Sequence, residues 1–260
     1  MSRAALPTVS ASIPRGAGYV GEIQARIWED FITSVIALLK TASGRIARGE
    51  QGYEYQLSRG WFGKGKYNVL GTDVCLPLEN AITDALTRAC ETIRRDRRPN
   101  HFLIDKQIFI ASQQPREIQN QLGDIAFTTD IKIASLSLHY LDLRVEAKRL
   151  LGGGDTGEYC GPDGLLRFAH TEPYTSAPLG MMLGYTFRHD DAHWHADIQS
   201  HAAKHGVSTF TNLRTGRWTT NANMMTSSSA GNVLVLHVLL PFDSNPSIRD
   251  LDKARSDLNR

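Results

Sequence analysis

One segment with the alternation of a β-strand constrains the fold of this chain more than any other. Apolar residues alternate there with charged ones, Leu141, Leu143, Val145 and Ala147 against Asp142, Arg144, Glu146 and Lys148. Successive side chains of a strand point to opposite faces, so the segment is predicted to have an apolar face and a charged face. Glu146 and Lys148 are two positions apart and are therefore expected to project together. A solvated edge strand would show the same alternation.

A second short apolar run lies about twenty residues upstream, at Leu122–Phe127, and Asp124 interrupts it. On a neighbouring strand, Asp124 would bring its carboxylate within reach of Glu146. Two carboxylates held close repel each other unless a cation lies between them, and oxygen ligands suit Mg²⁺ or Mn²⁺. Lys148 beside that ion could lower the pKa of an attacking water or stabilise a pentacovalent phosphorus. We therefore predict a phosphodiesterase site with Asp124 and Glu146 as metal ligands and Lys148 as a catalytic charge.

The combination of Asp124 with Glu146-Ala147-Lys148, twenty-two positions later, resembles the PD-(D/E)XK nuclease superfamily. Gly123 stands where the Pro of that motif would be, a departure that many members of the superfamily share. The resemblance covers roughly residues 75–240. Three downstream segments are also similar to uncharacterised bacterial members, often associated with defence against phages: Gly164–Phe168, Tyr174 and Gly180–Tyr185.

The resemblance implies a mixed α/β fold of the restriction-endonuclease-like kind, in which helices flank a central mixed β-sheet. It further implies a Mg²⁺-dependent (or Mn²⁺-dependent) endonuclease that acts on DNA, with RNA not excluded, as the effector of an anti-phage defence or restriction system. An ATPase or sensor subunit is the partner expected from the resemblance. Glu79 resembles the acid of the first core helix, which often lies beside the metal; alternatively, it only complements the helix dipole.

A second hypothesis is a catalytically inactive subunit of the same fold that binds nucleic acid or a partner protein. Its basic residues would be Arg94, Arg95, Arg97 and Arg98, which could contact phosphates, and Arg167, which could make a bidentate contact. The first four could equally form a solvated helix end, where the macrodipole favours cations. The formal net charge of +2 does not by itself indicate a nucleic-acid binder.

Composition and periodicity divide the chain into an arm (1–18), a helical, Gly- and aromatic-rich extension (19–74), a region of alternating helices and strands (75–242) and a charged tail (243–260). The resemblance implies that residues 75–242 are the nuclease-like core. The arm is expected to be flexible. Predicted helices cover 22–40, 77–96 and 174–185; predicted strands cover 122–128, 131–139, 141–148 and 233–240, with a hairpin over 209–220. The wide apolar stripe of the first helix would pack on the core or on a second copy, which leaves a homo-oligomer open.

Three cysteines without C-x-x-C spacing favour a reducing compartment and argue against a zinc site. The longest apolar run, 233–242, is too short to cross a bilayer, and the N-terminus lacks the apolar segment of a secretory signal. We therefore expect a cytoplasmic protein without a membrane partner.

Overall fold

The computed structural model describes residues 5–14, 21–53, 62–69, 72–77, 79–99, 101–115, 128–152, 154–169, 175, 177–187, 190–207, 209–227 and 231–242. The helices are α1 Val9–Ser12, α2 Glu22–Ala47, α3 Glu79–Arg95, α4 Phe102–Asp105, α5 Asp155–Cys160 and α6 Asp191–Lys204, with a 3-10 helix at Leu165–Ala169. The strands are β1 Phe62–Val69, β2 Thr72–Pro77, β3 Ile108–Pro115, β4 Thr128–Ser135, β5 Asp142–Leu150, β6 Leu179–Thr186, β7 Phe210–Thr215, β8 Trp218–Ser227 and β9 Gly231–Pro241.

Seven strands form one mixed sheet in the order β3-β4-β5-β6-β9-β8-β7, and β1 pairs with β2 separately. β6 is parallel to both of its neighbours, β5 and β9. The other pairs in the sheet are antiparallel, including β3 with β4 and β4 with β5. The predicted mixed α/β class with a central sheet is therefore confirmed.

The centre of the sheet is buried on both faces because the side chains of β9 alternate between two apolar clusters. Leu234 and Leu236 belong to the cluster that contains α2 and α3, whereas Val233 and Val235 belong to the cluster that contains α5 and α6. A strand covered on both faces is apolar nearly throughout. The central strand predicted over 233–240 is confirmed, as is the hairpin predicted over 209–220, which is formed by β7 and β8.

The helix predicted over 174–185 is wrong, because residues 179–186 form β6, which is buried along its whole length. Its side chains also alternate between the two clusters, with Met181 and Leu183 facing α2 and α3 and Met182 facing α5 and α6. A short apolar run does not distinguish a buried strand from a buried helix. The crossover from β5 to β6 instead contains α5 and the 3-10 helix.

The long helix near the N-terminus packs inside the chain's own core. α2 extends beyond the predicted 22–40 to Ala47, and Gly49 follows it with a φ of 63°. Trp28, Phe31 and Ile32 on α2 are almost fully buried. Residues 5–14, in the segment expected to be a flexible arm, include α1, whose Val9 is buried in the same cluster. No helix in the described part of the chain is long and apolar enough to cross a membrane.

A buried polar network links the sheet to α5. His237 Nε2 lies 2.6 Å from Asn223 Oδ1, so this nitrogen donates, and His237 Nδ1 then accepts from the Tyr159 hydroxyl at 3.0 Å. His237 is 1% exposed. Burial, with a smaller contribution from His195, lowers its pKa from 6.5 to about 3, so the network is built on a neutral imidazole.

We predict that His237 makes the fold sensitive to acid. The unfolded chain binds a proton at this side chain below its ordinary pKa of 6.5, whereas the folded chain does so only near 3. The free energy of unfolding should therefore fall as pH decreases between these values, with a contribution of about 1.4 kcal/mol per pH unit. Urea unfolding at several values between pH 7 and 4 measures the dependence of the free energy of unfolding on pH. His237→Gln should make this dependence less steep. The control His205→Gln, at an exposed histidine, should leave it unchanged. Equal slopes for all three proteins would contradict the prediction.

Candidate active site

The candidate site lies where β4 separates from β5. The two strands pair only from Ile131 opposite Val145 to Ala134 opposite Asp142. Beyond this ladder, two carboxylates accept the main-chain N–H groups of β5: Ala147 N donates to Asp130 Oδ2 at 2.8 Å and Arg149 N to Glu79 Oε2 at 2.9 Å. Carboxylate side chains thus take the role that the carbonyls of a continuing partner strand would have.

Lys148 lies among three carboxylates. Its Nζ atom donates to Glu146 Oε1 at 2.8 Å and lies 3.6 Å from Glu79 Oε1. The negative charge of Asp130 also favours the protonated form of Lys148. The side chains of Lys148 and Glu146 are 16% and 6% exposed, and that of Glu79 is 30% exposed, so the cluster is sheltered but open on the Glu79 side. The prediction that Glu146 and Lys148 project from one face is confirmed.

The electrostatics of the cluster keep Lys148 protonated. Burial alone would lower the pKa of this ammonium group, but the charges of Glu146, Glu79 and Asp130 outweigh burial and raise it above its ordinary value. Burial raises the pKa of Glu79; Lys148 opposes this rise and Asp130 adds to it. Burial also raises the pKa of Asp130, although the hydrogen bond from the Ala147 N–H and the positive charge of Lys148 act to lower it. Lys148 is therefore a fixed positive charge rather than a proton acceptor.

Two further residues support Glu79 from within the core. Thr83 lies one helical turn after Glu79 on α3, and its Oγ1 is 2.9 Å from the hydroxyl of Tyr185 on β6. Both side chains are buried, and burial raises the pKa of Tyr185 well above its ordinary value. Tyr185 lies opposite Arg149 in the parallel ladder. This bond joins α3 to the sheet directly behind the carboxylates.

Of the predicted catalytic residues, the structure brings together Glu79, Glu146 and Lys148. Asp124 and most of the strand predicted over 122–128 lie outside the described residues. The acid that reaches β5 from the neighbouring strand is Asp130. The sequence predicts a turn at Asp130, between the strands expected over 122–128 and 131–139, and therefore ranks this residue below Asp124 as a ligand; the turn is wrong, because β4 begins at Thr128. Asp130 lies inside β4, and its alternation with Ile131 and Ile133, whose side chains are fully buried, is the sequence signal that could have identified it.

The predicted phosphate-binding arginines do not lie together at this site. Arg94 and Arg95 both pair with Glu91 near the end of α3, at 2.8 and 3.9 Å. That end is about 25 Å from Glu79, given a rise of about 1.5 Å per residue. Arg167 belongs to the 3-10 helix and donates to Asp163 and to the Pro162 carbonyl. Arg97 and Arg98 follow α3, where Arg97 borders a cavity and Arg98 is exposed.

The cluster has the donor chemistry for a hard divalent cation. The carboxyl groups of Glu79, Asp130 and Glu146 lie around the Lys148 ammonium, and the Arg149 guanidinium also acts on Glu79, so the sheltered site contains more acidic than basic side chains. In the described part of the chain, no three histidine, cysteine, aspartate or glutamate side chains form a group that could hold a metal ion. Mg²⁺ is commonly bound through one or two carboxylates, keeping several waters and binding substrate phosphates. Asp130 and Glu146 fit that smaller ligand set.

Comparisons of the chain with models of known protein families, with curated proteins and with solved structures give no match. The assignment of function therefore depends on the geometry of this cluster and on the chemistry of its residues.

The cluster predicts a measurable coupling between Lys148 and Glu146. Lys148→Met should lower the free energy of unfolding by about 3 kcal/mol, because it leaves the buried Glu146 carboxylate without its cation. Lys148→Met combined with Glu146→Gln should cost less than Lys148→Met alone, since no buried charge is then left unpaired. Chemical denaturation at pH 7 measures both. The control Lys106→Met removes a more exposed lysine that pairs with Asp105 and should change stability by about 0.5 kcal/mol or less. A double variant that loses as much stability as Lys148→Met, or more, would contradict the coupling.

Proposed function

We propose that the chain is a metal-dependent nuclease that hydrolyses phosphodiester bonds of DNA. One observation carries this proposal: Glu79, Asp130 and Glu146 converge on Lys148 where β4 separates from β5. An acid from a neighbouring strand, Glu-x-Lys on the next strand and an acid on the first core helix form the set that the resemblance to PD-(D/E)XK nucleases implies. In this proposal, Asp130 is the metal ligand on the neighbouring strand, the role that the sequence predicted for Asp124.

We also propose that the core is restriction-endonuclease-like. The sheet topology supports this proposal, because β5 is antiparallel to β4 on one side and parallel to β6 on the other. Helix α3 lies against one face of this part of the sheet, and the crossover with α5 covers the other. The candidate residues then belong to two neighbouring strands, β4 and β5, and to the helix α3 that packs on the sheet.

Asp130 and Glu146 would hold the metal in this proposal. Mg²⁺ or Mn²⁺ bound there would polarise the scissile phosphate and lower the pKa of a bound water. The main-chain N–H of Ala147 fixes the orientation of the Asp130 carboxylate, and Lys148 fixes that of Glu146. Both carboxylates are thus pre-positioned by bonds to β5, which reduces the reorganisation that binding requires.

Lys148 would act on the phosphate as a fixed charge. Its ammonium group, compact and partly shielded from solvent, can stabilise the negative charge that develops on phosphorus oxygens in the transition state. Glu79 is the more exposed of the two carboxylates that pair with Lys148, at 30% against 6% for Glu146. In this proposal it lies on the side from which a substrate would approach. Its carboxylate would hold Lys148 in place and could orient a water molecule.

The alternative is an inactive subunit of this fold that binds nucleic acid or a partner protein. Two observations favour it: the described residues include no three-ligand metal group, and Lys148 already contacts two of the carboxylates. Such a protein would retain the fold and lack turnover. The proposed role in anti-phage defence, beside an ATPase or sensor subunit, comes from the resemblance alone and applies to either function.

We expect the purified chain to cleave plasmid DNA in Mg²⁺ and to lose this activity in EDTA. Lys148→Ala, Asp130→Asn and Glu146→Gln should each reduce the cleavage rate by about 100-fold or more, because each removes a charge that acts on the reacting phosphate. Gel assays of plasmid nicking measure the rates. The matched control is Asp142→Asn, also on β5, whose carboxylate makes a bidentate pair with Arg144 and should not be needed for cleavage.

The same assay separates the two candidate acids and the two functions. A loss of cleavage in Asp124→Asn with full activity in Asp130→Asn would replace Asp130 by Asp124 in the site. Full activity in Lys148→Ala would overturn the catalytic assignment.

If the chain is an inactive subunit that binds nucleic acid, it should bind duplex DNA without turnover. The logarithm of the binding constant should then fall linearly with the logarithm of the salt concentration, because phosphate contacts release counterions. Fluorescence anisotropy between 50 and 200 mM salt measures the slope. A wild-type chain that shows neither cleavage nor salt-dependent binding would exclude the nuclease and the nucleic-acid-binding subunit, and would leave the subunit that binds a partner protein.

A further inference from the structure

A cavity of about 510 Å³, separate from the candidate active site, lies between the C-terminal ends of α2 and α3 and the turn that joins β7 to β8. Its lining includes three arginines from these three elements, Arg45, Arg97 and Arg217. Trp218 and Asp96 also border it. The arginines are far apart in sequence, so the fold brings them together at one place. Its volume lies within the range of small-molecule sites, roughly 300–1,000 Å³.

The charges around this cavity favour an anion. Three guanidinium groups face one carboxylate, that of Asp96, which gives the lining a formal net charge of +2. The Nε atom of Arg45 lies 3.7 Å from Glu50 Oε2, and its Nη1 atom donates to the hydroxyl of Tyr53. These two residues do not line the cavity, and they fix the position of the Arg45 side chain. Guanidinium groups present forked donors that match the oxygens of a phosphate.

A buried donor gives an independent indication. The Nε atom of Arg97 is buried and has no hydrogen-bond partner among the residues that the structure describes. A buried donor without a partner costs about 1–3 kcal/mol, so such groups in folded proteins usually face a water or a bound ion. Arg94 and Arg95, on the preceding turn, both pair with Glu91. Arg97 therefore differs from Arg94 and Arg95 in having a buried donor without a partner among the described residues, and it borders the cavity.

The cavity also offers an aromatic surface. The Arg217 guanidinium stacks at 4.6 Å from the centre of the Trp218 ring, and Trp218 is partly exposed. An arginine stacked in this way is held flat and keeps its outer donors available. Because α3 separates Arg97 from Glu79, a ligand in this cavity lies about 25 Å from the candidate active site.

We propose that this cavity is a binding site for a phosphate group carried by a nucleotide, with Arg97 and Arg217 as its principal donors and Arg45 as a supporting charge. The site is separate from the proposed catalytic cluster and does not depend on its activity. The phosphate belongs either to a free nucleotide or to the backbone of a nucleic acid, and the experiment distinguishes these sources.

Calorimetric titration of the full chain in EDTA, with pyrophosphate, ATP and a short DNA duplex as separate probes, tests the proposal without cleavage. Arg97→Gln and Arg217→Gln should each raise the dissociation constant about tenfold or more, since each removes a charge-assisted hydrogen bond. Arg97→Lys, which keeps the charge and loses the fork, should weaken binding as well. The matched control Arg26→Gln removes the same charge from a 75% exposed side chain near the start of α2, outside the lining of the cavity, and should change affinity less than twofold.

Tryptophan fluorescence locates the ligand. Trp218 borders the cavity, so emission should change on binding, and Trp218→Phe should lose this change while it still binds the probe. Melting temperatures of all variants establish that they fold. Binding of pyrophosphate and ATP supports a free nucleotide; binding of the duplex alone, lost in Arg97→Gln, supports a nucleic-acid backbone. Failure of all three probes to bind, or an equal loss of affinity in Arg26→Gln, would overturn the proposal.

Discussion

The pairing of Lys148 with Glu146 and Glu79, beside the charge of Asp130, is the interaction on which this structure depends most. Where β4 stops pairing, β5 would expose main-chain N–H groups in a sheltered place, and an unpaired donor there is unfavourable. Asp130 and Glu79 accept these N–H groups, and Lys148 offsets the cost of burying their charges. The same bonds therefore close the sheet edge and position the groups that could act on a phosphate.

The rigidity of this arrangement comes from the centre of the sheet. β6 lies between β5 and β9, and its side chains pack into apolar clusters on both faces. Tyr185 at the end of β6 meets Thr83 of α3 directly behind Glu79. A side chain held by packing on both sides has little freedom to move. The residues at the candidate site are thus fixed from behind and exposed on one side.

Helix α3 connects the two places where ligands are proposed. Its first residue, Glu79, belongs to the carboxylate cluster, and Arg97 lies just beyond its last turn, in the arginine-lined cavity. The charge distribution follows the helix dipole, with an acid at the N-terminal end and bases at the C-terminal end. Helix stability and ligand chemistry thus favour the same residue types at both ends.

Several features could be predicted from local pattern. The period of two in residues 141–148 placed Glu146 and Lys148 on one face, and the stripes of α2 and α3 identified both helices. Other features could not. The run at 179–186 became a strand because it lies between two parallel neighbours, which no local period indicates. Asp130 and Asp124 are both acids beside apolar residues, and choosing between them requires the point at which β4 leaves β5.

The sequence by itself determined which side chains share a face, since that depends on the geometry of a single strand or helix. The sequence thereby determined that Glu146 and Lys148 project from the same face of one strand, and that an acid, Glu79, lies in the first turn of α3. The tertiary structure alone decided that Asp130 reaches β5 from the neighbouring strand, and which arginines, from α2, the end of α3 and the β7–β8 turn, border one cavity. Such groupings depend on strand register and on the packing of distant segments, and these are set by burial of the whole core rather than by any local pattern.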